Sequence, residues 1–243
     1  MLSSRMTAVL ALLGGAGARE RSAGLADVGA AAAAAALGVD GIAAGVGTGP
    51  SGLVVAWGQR ETSAALEDAQ FTLGEGPSVD ALTAGAPILV ADLAGARERW
   101  PAFIPAAQGL GVGALFAFPL QIGAISVGAL LAHRTAVGAL SAQELADALA
   151  LVDAVTVLLL RRATPEAGAA GSAYGAPGPG WAAPSTYQAQ VHQATGMISV
   201  QLNVDLAEAL ALLRARAYVQ GRRVSEVAAD VVARRLRFDG PEP

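Results

Sequence analysis

The sequence predicts an α+β domain, in which helices flank a mostly antiparallel sheet, followed by a small all-α bundle of three helices. Three observations predict this. Helical and extended patterns alternate over residues 1–162, a Pro/Gly/Ala-rich stretch fills 163–184, and three apolar stripes at helical spacing occupy 185–238. We therefore divide the chain into an N-terminal domain (1–162), a linker (163–184) and a C-terminal bundle (185–238).

The first half of the N-terminal domain alternates helices with short strands. The N-terminal run MTAVLALL resembles a short signal peptide, but we interpret it as a first helix because nothing downstream is typical of an exported protein. The turn-forming GTGPSG joins two strand-length segments and predicts a hairpin. The further predicted elements are, in order, a helix at 21–37, strands at 41–46 and 53–57, a helix at 61–69, a strand at 87–90 and a helix at 100–108.

The second half of this domain predicts a buried hairpin and a long helix. In ALFAFPLQIGAISVGALLAHR, residues 114–134, two apolar runs of strand length lie on either side of IGA. Ser141 and Glu144 then have the spacing of a capping box, which predicts the start of a helix. Gln121, Pro119 and several glycines interrupt the first apolar stretch, so we predict core strands and no membrane span.

The composition excludes several classes of enzyme. The chain has 243 residues, and all 16 basic residues are arginine. Without lysine it lacks the amine of a P-loop, of a pyridoxal Schiff base and of a kinase-type phosphate clamp. With no cysteine and two histidines it has too few ligands for a zinc site, and neither a thiol nucleophile nor a disulfide. No nucleophile, base and orienting group assemble, so we predict that the protein is not an enzyme.

Three titratable residues of the N-terminal domain are nevertheless candidates for chemistry. His133 stands alone at the end of an apolar strand, and we interpret it as a partly exposed histidine at the edge of the core. Glu75 and Asp80 have the residue types of an acid and base pair, but no nucleophile or metal ligand accompanies them. We interpret both as caps of a turn and a short helix.

Two segments carry a family resemblance. TLGEGPSVDALTAGAPILVADLAGARERWPAF, residues 72–103, and the hairpin that follows it resemble the GAF domains of actinobacterial regulators over roughly residues 20–161. The resemblance implies a sensory module that binds an unidentified small molecule between its sheet and the covering helices; no cofactor is identified. Many relatives carry cysteine after the GEGP turn, whereas this chain has Ser78, so the resemblance implies no thiol-based redox role and no bilin attachment.

The C-terminal bundle has clear helix boundaries. Val191, Ala194, Ile198 and Leu202 form one apolar stripe, and Asn203 predicts its end. A second helix has its own capping box and ends at a glycine, and Ser225 is the predicted cap of a third. The remaining boundary residues of these helices are Asp205, Glu208 and Gly221.

Positive charge is concentrated at the end of the second helix of the bundle, in LRARAYVQGRR, residues 213–223. At 100° per residue, Arg214, Tyr218 and Arg222 lie along nearly one line, and Arg223 follows in the turn. A basic stripe that contains an aromatic side chain suits single-stranded RNA loops, because arginine contacts phosphate and tyrosine stacks on a base.

The bundle also resembles a known family, the ANTAR domain, from about Val191 to Leu236. The resemblance implies an RNA-binding antiterminator that captures paired stem-loops in nascent mRNA. Many members have lysine where this chain has Thr195. The candidate RNA-binding residues are Gln193, Arg214, Tyr218, Arg222 and Arg223. The matching residues are Gln193, Ala194, Gly196, Ala209, Leu213, Arg214, Ala217, Glu226, Val227 and Ala228.

Together the two resemblances predict a GAF-ANTAR transcription antitermination regulator, located in the cytoplasm. Segment 145–160 carries an apolar stripe that predicts a homodimer helix, so that two bundles bind two hairpin loops of one mRNA. Two alternatives remain open, a DNA-binding regulator and a non-catalytic protein-interaction module. The residues of the predicted dimer stripe are Leu145, Leu149, Val152, Val155 or Thr156, and Leu159.

Overall fold

The computed structural model of the protein describes residues 2–16, 23–47, 53–58, 61–123, 125–163 and 186–238. The elements up to residue 163 are helices α1 Ser4–Ala16 and α2 Ala23–Leu37, strands β1 Gly41–Val46 and β2 Val54–Gly58, helices α3 Glu61–Leu73 and α4 Pro77–Ala84, strand β3 Ile88–Val90, a 3-10 turn at Leu93–Ala96, helix α5 Phe103–Gly109, strands β4 Ala114–Ile122 and β5 Ile125–Arg134, and helix α6 Ala142–Ala163.

The five strands form one antiparallel sheet in the order β2-β1-β5-β4-β3. The predicted second hairpin is present as β4 and β5, which pair from Ala114 with Arg134 to Ile122 with Ile125. The predicted first hairpin is present as β1 and β2. Because β5 pairs with both β1 and β4, the second hairpin lies at the centre of the sheet.

The sheet is covered on both faces, and alternate residues of β4 point to opposite layers. Phe116, Phe118 and Leu120 pack in the layer formed with α1, α2 and α6. Leu115 and Ala117 pack in the other layer, together with side chains from α3, α4 and α5. Because both faces of β4 are buried, its sequence is a nearly continuous apolar run. In a strand with one face exposed to solvent, apolar and polar residues would alternate.

The short helix expected near Glu75 and Asp80 is present as α4, and it shapes the candidate ligand cavity. Helix α4 begins at Pro77, whose fixed φ and missing N–H suit the first turn of a helix. It ends at Gly85, which adopts the left-handed conformation with φ 62°. The predicted capping box of the long helix is confirmed, since Ser141 and Glu144 exchange hydrogen bonds at the start of α6.

The C-terminal bundle consists of α7 Thr186–Leu202, α8 Leu206–Gln220 and α9 Val224–Val232. The Asp205 carboxylate accepts a hydrogen bond from the Glu208 N–H at the start of α8, and Gly221 ends that helix with φ 61°. The predicted cap at Ser225 is wrong: α9 begins at Val224, and its N-cap residue is Arg223, whose side chain makes no capping hydrogen bond.

The described residues contain no single helix that is both long and apolar enough to cross a membrane; one bent pair, at Gln190–Leu202 and Leu206–Gln220, meets the length and composition requirements together. The predicted linker lies outside the described residues, apart from Ala163 at the end of α6.

Candidate nucleic-acid interface

The five residues predicted to bind RNA lie in three parts of the bundle. One lies on α7, one faces the N-terminal domain, and three lie where α8 turns into α9. The five residues are Gln193, Arg214, Tyr218, Arg222 and Arg223.

Gln193 lies in an open groove beside the segment that follows α9. This groove has a volume of about 800 Å³, and its wall includes Arg234 and Arg237. Neither arginine was singled out from the sequence as a contact residue. Both follow the last helix of the bundle, where a helical pattern gives no signal of the path of the chain.

Arg214 is half-buried and faces the N-terminal domain. Its guanidinium carbon lies 5.1 Å from the ring centroid of Phe71, which belongs to α3 of the N-terminal domain. Phe71 is 4% exposed and joins the cluster of buried side chains that forms the core of the C-terminal bundle. At the junction of the two domains, the Phe71 ring therefore contacts the Arg214 guanidinium and also packs in the apolar core of the bundle.

Tyr218 and Arg223 remain accessible at the turn from α8 to α9. The Tyr218 ring is 77% exposed, which leaves its face open for stacking. Arg223 is exposed, and no ion pair of its side chain occurs within the described part of the chain. Both side chains are therefore accessible to a ligand.

Arg222 is held by carboxylates of α9. Its Nη2 lies 2.8 Å from Asp230 Oδ2, and its Nε lies 3.7 Å from Glu226 Oε2. Arg235 contacts the other oxygen of Asp230 at 2.7 Å. Hydrogen bonds from Arg222 and then Arg235 lower the pKa of Asp230, so the pair persists at neutral pH. Arg222 offers less free positive charge to a phosphate than Arg223 does.

Thr195, which replaces the lysine of many relatives, lies inside the bundle. Its hydroxyl donates a 2.8 Å hydrogen bond to the Val191 carbonyl one turn earlier in α7. The position therefore offers no polar group to a ligand at the surface.

The GEGP turn builds a buried polar cluster between α3 and α4. The Ser78 hydroxyl donates to Glu67 Oε1 at 2.8 Å, and Gln70 Nε2 donates to the Ser78 hydroxyl at 3.1 Å. Burial raises the pKa of Glu67 to about 7, against a smaller lowering by the hydrogen bond from Ser78. Glu67 was not predicted as a site residue, because its partner Ser78 is eleven residues away in the sequence.

These three side chains line a cavity of about 410 Å³ between α3, α4 and the C-terminal bundle. Phe71 of α3 and Arg214 of α8 also line the cavity, so both domains contribute to its wall. A cavity of this size, with apolar walls and a few convergent polar groups, has the character of a small-molecule site.

The other titratable candidates have structural contacts. Glu75 Oε1 accepts hydrogen bonds from the N–H groups of Ala102 and Phe103 at 2.7 Å, at the start of α5. Asp80 lies 2.6 Å from Arg99. His133 is buried, not partly exposed as predicted, because its ring occupies the space beside Gly41 where a side chain would otherwise lie. Burial lowers the pKa of His133.

The predicted dimer stripe of α6 mostly belongs to the domain's own core. Four of its residues are buried, and only Leu149 is largely exposed. The apolar residues that α6 exposes are Leu149 and Val157, at 46% and 48%. Helical spacing identified the apolar face correctly, but this face packs on the sheet. The four buried residues are Val152, Val155, Thr156 and Leu159.

Comparisons with known proteins agree with both resemblances. Residues 186–232 match the ANTAR domain family. The GAF domain of a phosphoenolpyruvate-protein phosphotransferase from Acinetobacter superposes with a TM-score of 0.50 at 11% identity, over 65% of this chain and 95% of that chain. No curated protein sequence has significant similarity to this chain.

Two further solved structures are similar over the same part. They are the GAF domain of a phosphoenolpyruvate-protein phosphotransferase from Coxiella burnetii, with a TM-score of 0.48 at 16% identity, and a phycocyanobilin-bound GAF domain from a cyanobacterial phytochrome, with 0.49 at 14%. Each covers 65% of this chain and 95% of its own. At such low identity the likeness to solved structures establishes the fold alone. The chain joins a GAF-like fold to an ANTAR domain, as both resemblances predicted.

The raised pKa of Glu67 predicts that stability falls as pH rises. The folded state keeps the carboxyl protonated up to about pH 7, whereas the unfolded chain ionises near 4.5, so stability is lost between these two values. Glu67→Gln, which keeps the shape without the charge, should remove this loss and stabilise the protein at pH 8 by on the order of 3 kcal/mol. Urea unfolding at pH 5 and pH 8 gives the free energy of unfolding of each variant, and Glu98→Gln, at an exposed position, is the control. An unchanged pH dependence in Glu67→Gln would contradict the assignment.

The contact between Phe71 and Arg214 predicts energetic coupling of the two domains. In a double-mutant cycle with Phe71→Leu and Arg214→Ala, the coupling energy should be about 1 kcal/mol, since the ring and the cation meet in a partly desolvated contact. Unfolding followed by circular dichroism gives the four free energies. Arg216→Ala, which removes a charge from an exposed position on the same helix, should show no coupling to Phe71→Leu.

Proposed function

We propose that this chain is an RNA-binding transcription antitermination regulator, in which the ANTAR domain binds paired stem-loops in nascent mRNA and the GAF-like domain senses a signal. The match of residues 186–232 to the ANTAR family carries the proposal, because that family is associated with RNA binding and the match includes all three helices of the bundle. Its site of action is the cytoplasm, where the transcript is made.

The exposed groups of the bundle support contact with unpaired bases. Tyr218 offers an open ring, and Arg223 a cation without a carboxylate partner in the described residues. The whole chain has a net charge of −4, so capture by charge alone is weak. Recognition of an RNA loop by stacking and shape agrees better with this charge balance than strong non-specific binding does.

The cavity between α3, α4 and the bundle supports the sensory part of the proposal. We propose that it holds an unidentified small molecule. Because Arg214 of the ANTAR domain lies in its wall, a molecule bound there would contact both domains and change how firmly one holds the other. The role of the protein is then regulatory, and no catalytic step is assigned to it.

We also propose that the protein acts as a homodimer. When two bundles are tethered in a dimer, each can bind one hairpin of the same transcript, and the dimer then binds the transcript more tightly than either bundle alone. Leu149 and Val157, which are exposed on one side of α6, are the apolar residues that this helix can offer to a second copy.

The direct test of the function is selectivity for hairpin RNA. The full chain should bind an RNA that carries two short stem-loops more tightly than a duplex DNA of equal length, and the affinity should fall as salt rises. Gel-shift titrations at two salt concentrations measure it. Equal affinity for duplex DNA would favour a DNA-binding regulator, and failure to bind any structured RNA at low salt would favour a protein-interaction module.

Variants of the turn from α8 to α9 test the predicted contacts. Tyr218→Ala should weaken hairpin binding by about 1–3 kcal/mol, the cost of losing one stacking partner. Arg223→Ala should weaken it and flatten the salt dependence, and Arg222→Ala should have a smaller effect because carboxylates already hold that side chain. Arg216→Ala, at an exposed position on the opposite flank of α8, is the matched control.

A further inference from the structure

We propose that the groove between α7 and the segment 233–238 is a binding site for one unstacked base of an RNA loop, with its flanking phosphates. This rests on the proposed function and names the contact that specifies the loop. The segment follows residues 186–232, which match the ANTAR family, whereas Gln193 and Gly196 on the other wall of the groove lie within that match. The groove, with a volume of about 800 Å³, is of a size that small-molecule sites commonly have.

The charge of the groove favours an anion. Arg234 and Arg237 line it, and its described lining contains no aspartate or glutamate. No ion pair of either arginine occurs in the described part of the chain, whereas the neighbouring Arg235 is held by Asp230. Two arginines without a carboxylate partner, at the wall of one groove, suit the phosphates of a nucleotide and the one after it.

The apolar and amide groups of the groove suit a base. Phe238 lies at its wall, half-buried against the core of the bundle, and Val200 is 83% exposed. An aromatic ring beside aliphatic side chains is a surface on which a base stacks. Gln193 and Gln201 add amide groups that can hydrogen-bond to a base edge, although Gln201 Oε1 already accepts from the Phe238 N–H at 3.1 Å.

Gly196 supplies an independent observation. It lies in the interior of α7, where glycine is less favourable than alanine, and it lines the groove. A side chain built at this position would meet no atom within 4 Å, so packing inside the chain does not require glycine here. A glycine that the fold does not need, at the floor of a groove, indicates close approach of a ligand to the helix backbone.

The backbone at Arg234 also favours a site. Arg234 has φ 58°, in the left-handed region that suits glycine and that arginine rarely adopts. This conformation turns the chain after α9, so that Leu236 and Phe238 pack against the bundle core and the segment follows α7. The turn places Arg234 and Arg237 on the wall of one groove.

The test separates folding from binding at Gly196. Gly196→Ala should raise the thermal midpoint of the full chain, because alanine favours the helix and meets no clash, while it weakens binding to a two-hairpin RNA. Gly196→Leu should fill the groove and weaken binding by about tenfold or more. Ala207→Leu, which adds the same side chain bulk at an exposed position on α8, should bind as the unmodified chain does.

A second arm identifies the ligand as a base and not as phosphate alone. An RNA whose loop bases are replaced by abasic nucleotides should bind the unmodified chain more weakly, and Gly196→Leu should then cause little further loss. Arg237→Gln and Arg234→Gln should each reduce the dependence of log affinity on log salt by about one, while Arg216→Gln should not. The arginine variants keep the test informative where Gly196→Leu does not fold.

The outcomes distinguish this inference from the function on which it rests. Hairpin binding by the unmodified chain, with equal affinity in Gly196→Leu and in the two arginine variants, would overturn the groove and leave the proposed function standing. If Gly196→Leu weakened binding to intact RNA and to abasic RNA by the same factor, the proposed base site would also be overturned, because the variant should affect only an RNA whose loop has bases. Absence of hairpin binding by the unmodified chain would overturn both.

Discussion

The alternation of side chains along the central hairpin is the constraint on which the N-terminal domain depends. Successive residues of β4 must fill two different layers, with Phe116 in one and Leu115 in the other, so a shift of one residue in the pairing would exchange the two sets. The same pairing fixes the face of the sheet on which α3 and α4 lie. Those two helices in turn hold the cluster of Glu67 and Ser78 and present Phe71 to the bundle.

Phe71 links this framework to the C-terminal bundle. Its ring is buried in the bundle core although it belongs to α3, and it contacts the guanidinium of Arg214. A change in the positions of α3 and α4 would therefore reach α8 through a direct contact and does not need to pass through the segment 164–185. The cavity beside Phe71 lies at this same junction, so a molecule bound there would, in the proposed mechanism, contact Arg214 of α8 directly.

Local patterns predicted much of the fold, and long-range packing explains what they missed. The capping box of α6, the Asp205 cap of α8 and the central hairpin follow from short spacings, and the structure contains them. The bounds of helix α4 were not predicted because its signal, one proline and one glycine around eight residues, is short. The contact of Arg214 with Phe71 was not predicted, because helical spacing describes one helix and does not include a partner from another domain. Arg234 and Arg237 follow the last helix, where helical periodicity no longer predicts the path of the chain. Their position in one groove with Gln193 was therefore not predicted.

Cross-linking of RNA to the full chain tests directly whether the C-terminal bundle contacts the loops of a hairpin RNA. A two-hairpin RNA with 4-thiouridine in its loops would be irradiated in the presence of the protein, and the cross-linked residues would be located by mass spectrometry. We expect cross-links within the C-terminal bundle, at Tyr218 and at the groove residues Met197 and Phe238, and we expect these cross-links to be lost when unlabelled hairpin RNA competes. Cross-links confined to residues 1–163, or unaffected by the competitor, would contradict it.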